Sequence, residues 1–235
     1  IKGKNTDGHL YVKEAIRKGA LKSVVHRKVK NLSKHNVVNV KDTLSSLNDL
    51  ARLTRESFNA QIIGITGSVG KTTLKNIIAF ALSNYGKVHS SPHSYNNKFG
   101  VPLSLSNLKS NINYGVFEIG MDKKGEIDFL SKIVKPDIAI ITNVAEAHFK
   151  NFKNLEDIAK AKSEIINNIS KHGSLILNKD NKFFNFLSNI AVKKKTNVIS
   201  FSSKKKADIF LKEIKKTKRY YQLKINLKNK IFYFY

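Results

Sequence analysis

The sequence has no cysteine, which excludes disulfide bridges, thiolate metal sites and cysteine nucleophiles. A cytoplasmic location fits that composition. No apolar run approaches the length of a membrane span. Ile1 to Gly8 is polar and turn-like and carries no signal-peptide pattern. No internal repeat is present. Acidic residues are scarce: 17 Asp and Glu face 43 Lys and Arg, for a formal net charge of +26 and a pI near 10.1. An excess of that size raises nucleic acid as a partner. The lysines are spread along the whole chain, however, with short clusters only at 193–195 and 204–206. Neither an aromatic-rich RNA-binding motif nor zinc-finger spacing accompanies them. The expectation is a basic, solvated surface that attracts polyanions such as nucleotides, with no nucleic-acid partner and no membrane insertion. At 235 residues, 41% hydrophobic and 26% charged, the chain suits a globular protein of one or two domains.

What is there centres on residues 61 to 73, Gln-Ile-Ile-Gly-Ile-Thr-Gly-Ser-Val-Gly-Lys-Thr-Thr. Ile62, Ile63 and Ile65 form a β-branched run expected of a buried parallel strand. Thr66 to Gly70 is a small-residue turn. Lys71, Thr72 and Thr73 open a segment whose Leu74, Ile77, Ile78, Ala81 and Leu82 follow helical spacing. Strand, glycine turn and helix start together make an anion cradle, where free N–H groups and the helix dipole converge. Gly67 and Gly70 let the backbone approach a phosphate. Lys71 can reach terminal phosphates, and the Thr72 hydroxyl can serve Mg²⁺. The general pattern G-x-x-x-x-G-K-[ST] would need glycine where Ile65 stands, and the dinucleotide fingerprint fails as well. An ordinary glycine turn is the alternative.

Residues 1–58 read as part of a small α/β unit and 59–235 as a larger one. In the first, His9 to Gly19 is an expected helix, 23–25 and 37–40 are expected strands, and Asp42 or Thr43 caps a helix through about Phe58. Leu44, Leu47, Leu50, Ala51 and Leu53 supply that last repeat. Strands are then expected at 87–90, 114–119, 137–142, 174–177 and 197–200. Helices are expected from Gly100, at 126–134, from Asn154 to about Ser170, and at 183–192. The alternation predicts an α/β fold with a mostly parallel, doubly wound sheet, which binds ligands at the carboxyl ends of its strands. From about 207 the alternation of apolar and polar residues predicts an antiparallel meander turning at 228–230. Both ends are expected to be truncated.

Glu118 ends a predicted strand and can hold the Mg²⁺ that bridges ATP phosphates; a capping or ion-paired Glu is the alternative. His148 follows another strand end on the same edge. Asn96 and Asn97 fit a turn as readily as a site, and Lys162 alone would be one helix lysine among many. The residues by themselves therefore point to an ATP and Mg²⁺ site and not to an acceptor.

The motif set resembles the Mur ligase superfamily, which includes folylpolyglutamate synthases. Thr66-Gly67-Ser68-Val69-Gly70-Lys71-Thr72-Thr73 is similar to its ATP loop. Asn96-Asn97-Lys98-Phe99-Gly100-Val101-Pro102, Glu118-Ile119-Gly120-Met121, residues 143–152, residues 159–165 and Leu177-Asn178-Lys179-Asp180-Asn181 resemble the motifs that follow it. Asn-Asn-x-x-Gly-Val-Pro and Lys2-Gly3-Lys4-Asn5-Thr6-Asp7-Gly8-His9 are similar to the branch that ligates D-alanyl-D-alanine. The resemblance implies a three-domain ligase of peptidoglycan synthesis; a monomer is expected. ATP would phosphorylate the terminal carboxylate of UDP-N-acetylmuramoyl-tripeptide, and the D-alanyl-D-alanine amine would displace phosphate. It further implies that Gly67 to Thr73 bind ATP, that Lys71 contacts the transferring phosphate, and that Thr72 and Glu118 hold Mg²⁺. His148 would help a second Mg²⁺, and Lys162 would stand near that metal, as a carbamate in several members. Asn178 and Asp180 would lie beside adenine, Lys4, Asn5 and Thr6 near uridine, and Asn96 and Asn97 at the substrate. Residues 1–235 alone are expected to bind nucleotide weakly and not to ligate. Another Mur ligase, a folylpolyglutamate synthase, or a basic nucleic-acid-stimulated ATPase are the competing readings.

Overall fold

The computed structural model describes residues 1–3, 5–146 and 151–235. The chain opens in a tight hairpin, where Lys2 and Asp7 form an antiparallel bridge and the Gly3 N–H donates to the Thr6 carbonyl at 2.8 Å. A 3-10 turn at Gly8–Tyr11 runs into α1 (Val12–Arg17), and the helix ends before Gly19, whose φ is 98°. β1 (Ser23–Val25) and β2 (Val37–Asn39) pair in parallel. α2 (Thr43–Ser57) begins at its expected cap, with the Asp42 carboxylate accepting from the Ser45 N–H at 2.5 Å.

The buried face of α2 differs from the expected repeat. Ala51 is buried and Leu44 and Leu47 are half-buried, but Leu50 and Leu53 are 52% and 62% exposed. Long-range polar contacts set the rotation of this helix. Arg55 donates to the carbonyls of Val134 (3.1 Å) and Lys135 (3.0 Å) and to the Asp137 carboxylate (3.1 Å). With Arg55 turned inward, Ala51 is the small residue facing the core, and the two leucines point away.

The larger unit is one nine-stranded sheet. In chain order its strands are β3 (Gln61–Thr66), β4 (Val88–Ser90), β5 (Tyr114–Glu118), β6 (Ile138–Ile141), β7 (Ser174–Asn178), β8 (Asn197–Ser202), β9 (Ile209–Lys216), β10 (Tyr221–Leu227) and β11 (Lys230–Phe234). They lie in the order β11-β10-β9-β8-β7-β6-β3-β5-β4. β3 to β8 run parallel, as expected, and β9 to β11 form the antiparallel meander. The meander extends the same sheet, because β9 pairs in parallel with β8 at Phe201–Ile209 and Ser202–Phe210. Its last turn places Lys228 and Asn229 at φ of 46° and 69°, the left-handed pair that matches strand twist in a two-residue hairpin.

Helices cover both faces unequally. α2, α4 (Gly100–Ser106), α5 (Glu126–Val134), α6 (Leu155–Ser163) and α7 (Phe184–Lys193) share one core with Ile62, Phe117, Ile119, Leu175 and Leu177. α3 (Lys71–Leu82) lies on the opposite face, where Leu74, Ile78 and Leu82 pack on Ile63, Ile65, Val116 and Ile140. The isoleucines of β3 therefore alternate between two cores, each worth about 1.5–3 kcal/mol when fully buried. The helix expected to run from Asn154 to about Ser170 is shorter: α6 stops at Ser163 and continues as a 3-10 turn over Glu164–Asn168. There the Glu164 carboxylate accepts from the N–H groups of Gly125 (2.8 Å) and Asp128 (3.1 Å), capping α5. β3 sits between β5 and β6, from which the chain leaves in opposite directions, so a crevice opens at the carboxyl end of β3. Among the described residues no helix is long and apolar enough to cross a membrane.

Candidate active site

β3 delivers the chain to that crevice at Thr66. Gly67 has a φ of 148°, and a Cβ there would overlap Thr142 Oγ1, so the backbone turn needs glycine. The loop is fastened from the β6 side. Asn143 Oδ1 accepts from the N–H groups of Ser68 (3.2 Å) and Val69 (3.1 Å). Ser68 Oγ donates to the Ala145 carbonyl (2.8 Å) and accepts from its N–H (3.0 Å), and Thr142 Oγ1 donates to the Val69 carbonyl (2.7 Å). Gly70 caps α3 with a φ of 82°. Two loop N–H groups are thus spent on Asn143, while those of Gly70 to Thr73 have no acceptor among the described residues. Unpaired N–H groups at the positive end of a helix form an anion site.

Beneath the loop stands a carboxylate in a dry setting. Glu118 is 1% exposed. Thr72 Oγ1 donates to its Oε2 at 2.6 Å, and Asn96 Nδ2 donates to its Oε1 at 2.7 Å. A buried carboxylate beside a hydroxyl is a set of hard oxygen donors that fits Mg²⁺, held in this geometry by neutral hydrogen bonds. Among the described residues no three His, Cys, Asp or Glu cluster as a metal site. Half-buried Lys71 donates from Nζ to the Gly67 carbonyl at 2.9 Å. Burial pushes its pKa down and the Glu118 charge opposes that shift.

Lys162 lies on the buried face of α6 with Ile158, Ala159 and Ala161. It is 2% exposed and reaches the same crevice. Burial, and then the neighbouring charge of Lys71, push its pKa down to about 7. A large fraction of this amine is therefore neutral near pH 7. The crevice, about 860 Å³, is lined by Gly67, Lys71, Asn96, Asn97 and Lys162, with Lys98, Lys123 and Lys124 also on its walls.

The fold thus brings Gly67, Lys71, Thr72, Asn96, Asn97, Glu118 and Lys162 to one edge. Asn97 also caps α4, its Oδ1 accepting from the N–H groups of Phe99 and Gly100 at 3.0 Å each. Asn178 and Asp180 line a separate cavity of about 220 Å³, with Phe201, Ile209 and Ile225. The Asp180 carboxylate is engaged there: it accepts from Ser202 Oγ (2.6 Å) and the Ser203 N–H (2.8 Å), and these bonds hold its pKa below the usual range. Asn5 and Thr6 sit in the N-terminal hairpin and line neither cavity. Lys4 and His148 lie outside the described residues. Sequence reasoning gave Asn143 no role at the site, although it fastens the loop. Asn143 had a signal, since it follows a strand end on the binding edge.

A profile of the Mur ligase middle domain matches residues 65–234. The UDP-N-acetylmuramoyl-tripeptide–D-alanyl-D-alanine ligase of Rickettsia prowazekii is 38% identical over 207 residues, covering 86% of this chain and 45% of that protein. Crystal structure I of MurF from Acinetobacter baumannii superposes with a TM-score of 0.86 at 30% identity, over 99% of this chain and 50% of that one. MurF ligase from Thermotoga maritima, solved in complex with ADP, gives 0.83 at 30% identity, over 99% and 53%. The chain spans about half the length of the curated relatives it matches.

Proposed function

The chain belongs to the Mur ligase family, and on that premise we propose that it carries the ATP-binding part of a ligase joining D-alanyl-D-alanine to UDP-N-acetylmuramoyl-tripeptide in peptidoglycan synthesis. The observation that carries this reading is the unpaired N–H cradle at Gly70–Thr73, the Lys71 amine and the Thr72–Glu118 pair brought together at the carboxyl end of β3, where Lys71 also lines the crevice. The curated relatives that bear this ligase name, and the ADP held by the Thermotoga neighbour, support it.

In this reading the substrate's free carboxylate, a poor electrophile, receives the γ-phosphoryl group of ATP, and ADP leaves as the β–γ P–O bond breaks. The amine of D-alanyl-D-alanine then attacks the acyl carbon, and inorganic phosphate leaves. The N–H groups of Gly70 to Thr73 hold the phosphates in line, and Lys71 releases the Gly67 carbonyl to meet the charge that shifts during transfer. Thr72 and Glu118 would hold Mg²⁺, which supplies charge neutralisation on the phosphates. Lys162 stands across the crevice as an amine of lowered basicity, ready to accept a proton or carbon dioxide. Asn96 keeps the Glu118 carboxylate aimed at the crevice, and Asn97 holds the start of α4 beside it. We assign Asn178 and Asp180 to the adenine end, Lys4, Asn5 and Thr6 to the uridine end, His148 to a second metal position, residues 1–58 to UDP-substrate binding and 59–235 to ATP binding. The protein would act as a monomer in the cytoplasm.

The test follows phosphate release by the protein as its gene encodes it, given ATP, Mg²⁺ and UDP-N-acetylmuramoyl-tripeptide, with and without D-alanyl-D-alanine. Release is expected to need both substrates and to vanish in Lys71→Ala. Release that instead follows glutamate with a folate, or a polynucleotide, would overturn the assignment.

A further inference from the structure

Lys75 is a buried lysine outside the residues assigned so far, at 2% exposure. It lies four residues after Lys71 on α3 and so shares its face. A buried ammonium costs free energy unless hydrogen bonds compensate it. Those bonds go to two main-chain carbonyls. Lys75 Nζ donates to the Ser91 carbonyl at 2.6 Å and to the His93 carbonyl by a shorter contact. Both belong to the turn by which the chain leaves β4.

That turn leads straight to Glu118. Ser91 Oγ accepts from the Glu118 N–H at 3.3 Å, and the Ser91 N–H donates to the Val116 carbonyl at 3.0 Å. Three residues past His93, Asn96 donates to Glu118 Oε1, and its backbone carbonyl accepts from the Gly120 N–H at 2.8 Å. The approach is so close that a Cβ on Gly120 would lie 2.8 Å from Asn96 Cγ. The Glu118 charge also acts on Lys75, opposing the downward shift that burial imposes on the amine. α3 therefore reaches Glu118 by two routes, directly through Thr72 and indirectly through Lys75, the 91–96 turn and Asn96.

We propose that Lys75 is a positioning residue: by clamping the carbonyls of Ser91 and His93 it holds Asn96 on Glu118 and so pre-forms the divalent-cation half of the nucleotide site. This deepens the ATP-site reading and rests on it. Removing the clamp frees the turn, lets Asn96 leave, and costs the metal-linked part of nucleotide affinity. It leaves the N–H cradle of Gly70 to Thr73 intact. A purely electrostatic role has the opposite sign, because deleting a neighbouring positive charge would favour a bound cation.

The experiment measures ATP affinity of the full chain by calorimetry, once in EDTA and once with Mg²⁺, and reads the ratio of the two. Lys75→Met is expected to cut that ratio about tenfold, the scale of one charge-assisted hydrogen bond, with affinity in EDTA within about twofold of the parent. The double variant Lys75→Met/Asn96→Ala should lose no more than the larger single effect, since both act on one link. A merely structural lysine would lower the melting temperature and weaken both affinities together. An unchanged or raised ratio, or additive losses in the double variant, would overturn the proposal. Where Lys75→Met does not fold, Lys75→Gln is read in the same way. If the parent chain shows no Mg²⁺ enhancement and Lys71→Ala binds as well as it does, the ATP-site reading has failed and the inference falls with it. If the parent binds and Lys75→Met matches it, the inference alone has failed.

Discussion

Lys162→Met isolates the cost of the buried amine in the crevice. Lys162 is 2% exposed and titrates near 7 rather than at its ordinary 10.5, chiefly through burial and secondly through Lys71. Its folded-state pKa is depressed. Between about pH 7 and about 10.5 the unfolded chain therefore holds a proton that the folded chain does not, and folding stability rises with pH across that window. The slope approaches about 1.4 kcal/mol per pH unit, and the whole window amounts to roughly 5 kcal/mol. Below pH 7 both states carry the proton and the full cost of the buried ammonium is present. Met keeps the length and removes the charge, so the variant is expected to be more stable than the parent at pH 7, by an amount that shrinks as pH rises. Urea denaturation of both proteins from about pH 6.5 to about 9.5, in bicarbonate-free buffer, gives the difference curve, in which all other titrating groups cancel. The buffer matters because a neutral amine can take up carbon dioxide. Parallel stability curves, or a gap that widens with pH, would refute the reasoning.

Two further outcomes are expected. Gly67→Ala should destabilise the chain by roughly 3 kcal/mol, from a strained φ and the overlap with Thr142, and should abolish nucleotide binding; thermal denaturation with calorimetric titration reads both, and a stable, binding variant would sink the account of the loop. Asp7 is held down to about 2 by the His9 N–H and ring and by Arg27. Its stabilisation is present above the ordinary carboxylate pKa and lost as pH falls toward 2, so Asp7→Asn should flatten the acid limb of a circular-dichroism titration, and an unchanged limb would count against that pairing.

The strand, loop and helix of residues 61–82 were legible because their signals are local. Ile62, Ile63 and Ile65 need only neighbours above and below, and the φ of 82° at Gly70 and the cap at Asp42 act within a few residues of themselves. The alternation of strands and helices made the parallel sheet legible as well. The rotation of α2 was not, because Arg55 finds its acceptors at Val134, Lys135 and Asp137, far along the chain. The early end of α6 was hidden for the same reason: Glu164 caps a different helix.

The order of elements, the anion cradle and the residue types at the carboxyl edge follow from periodicity and glycine placement, which are properties of neighbouring residues. Only the tertiary structure decided that Asn143 ties down the loop, that Glu118 receives both Thr72 and Asn96, that Lys75 braces the turn between them, and that Lys162 is buried deeply enough to lose its ordinary basicity. Each of these depends on groups 16 to 91 positions apart meeting at the carboxyl edge of the sheet, and where they are buried one hydrogen bond or one charge counts for far more than it does in water.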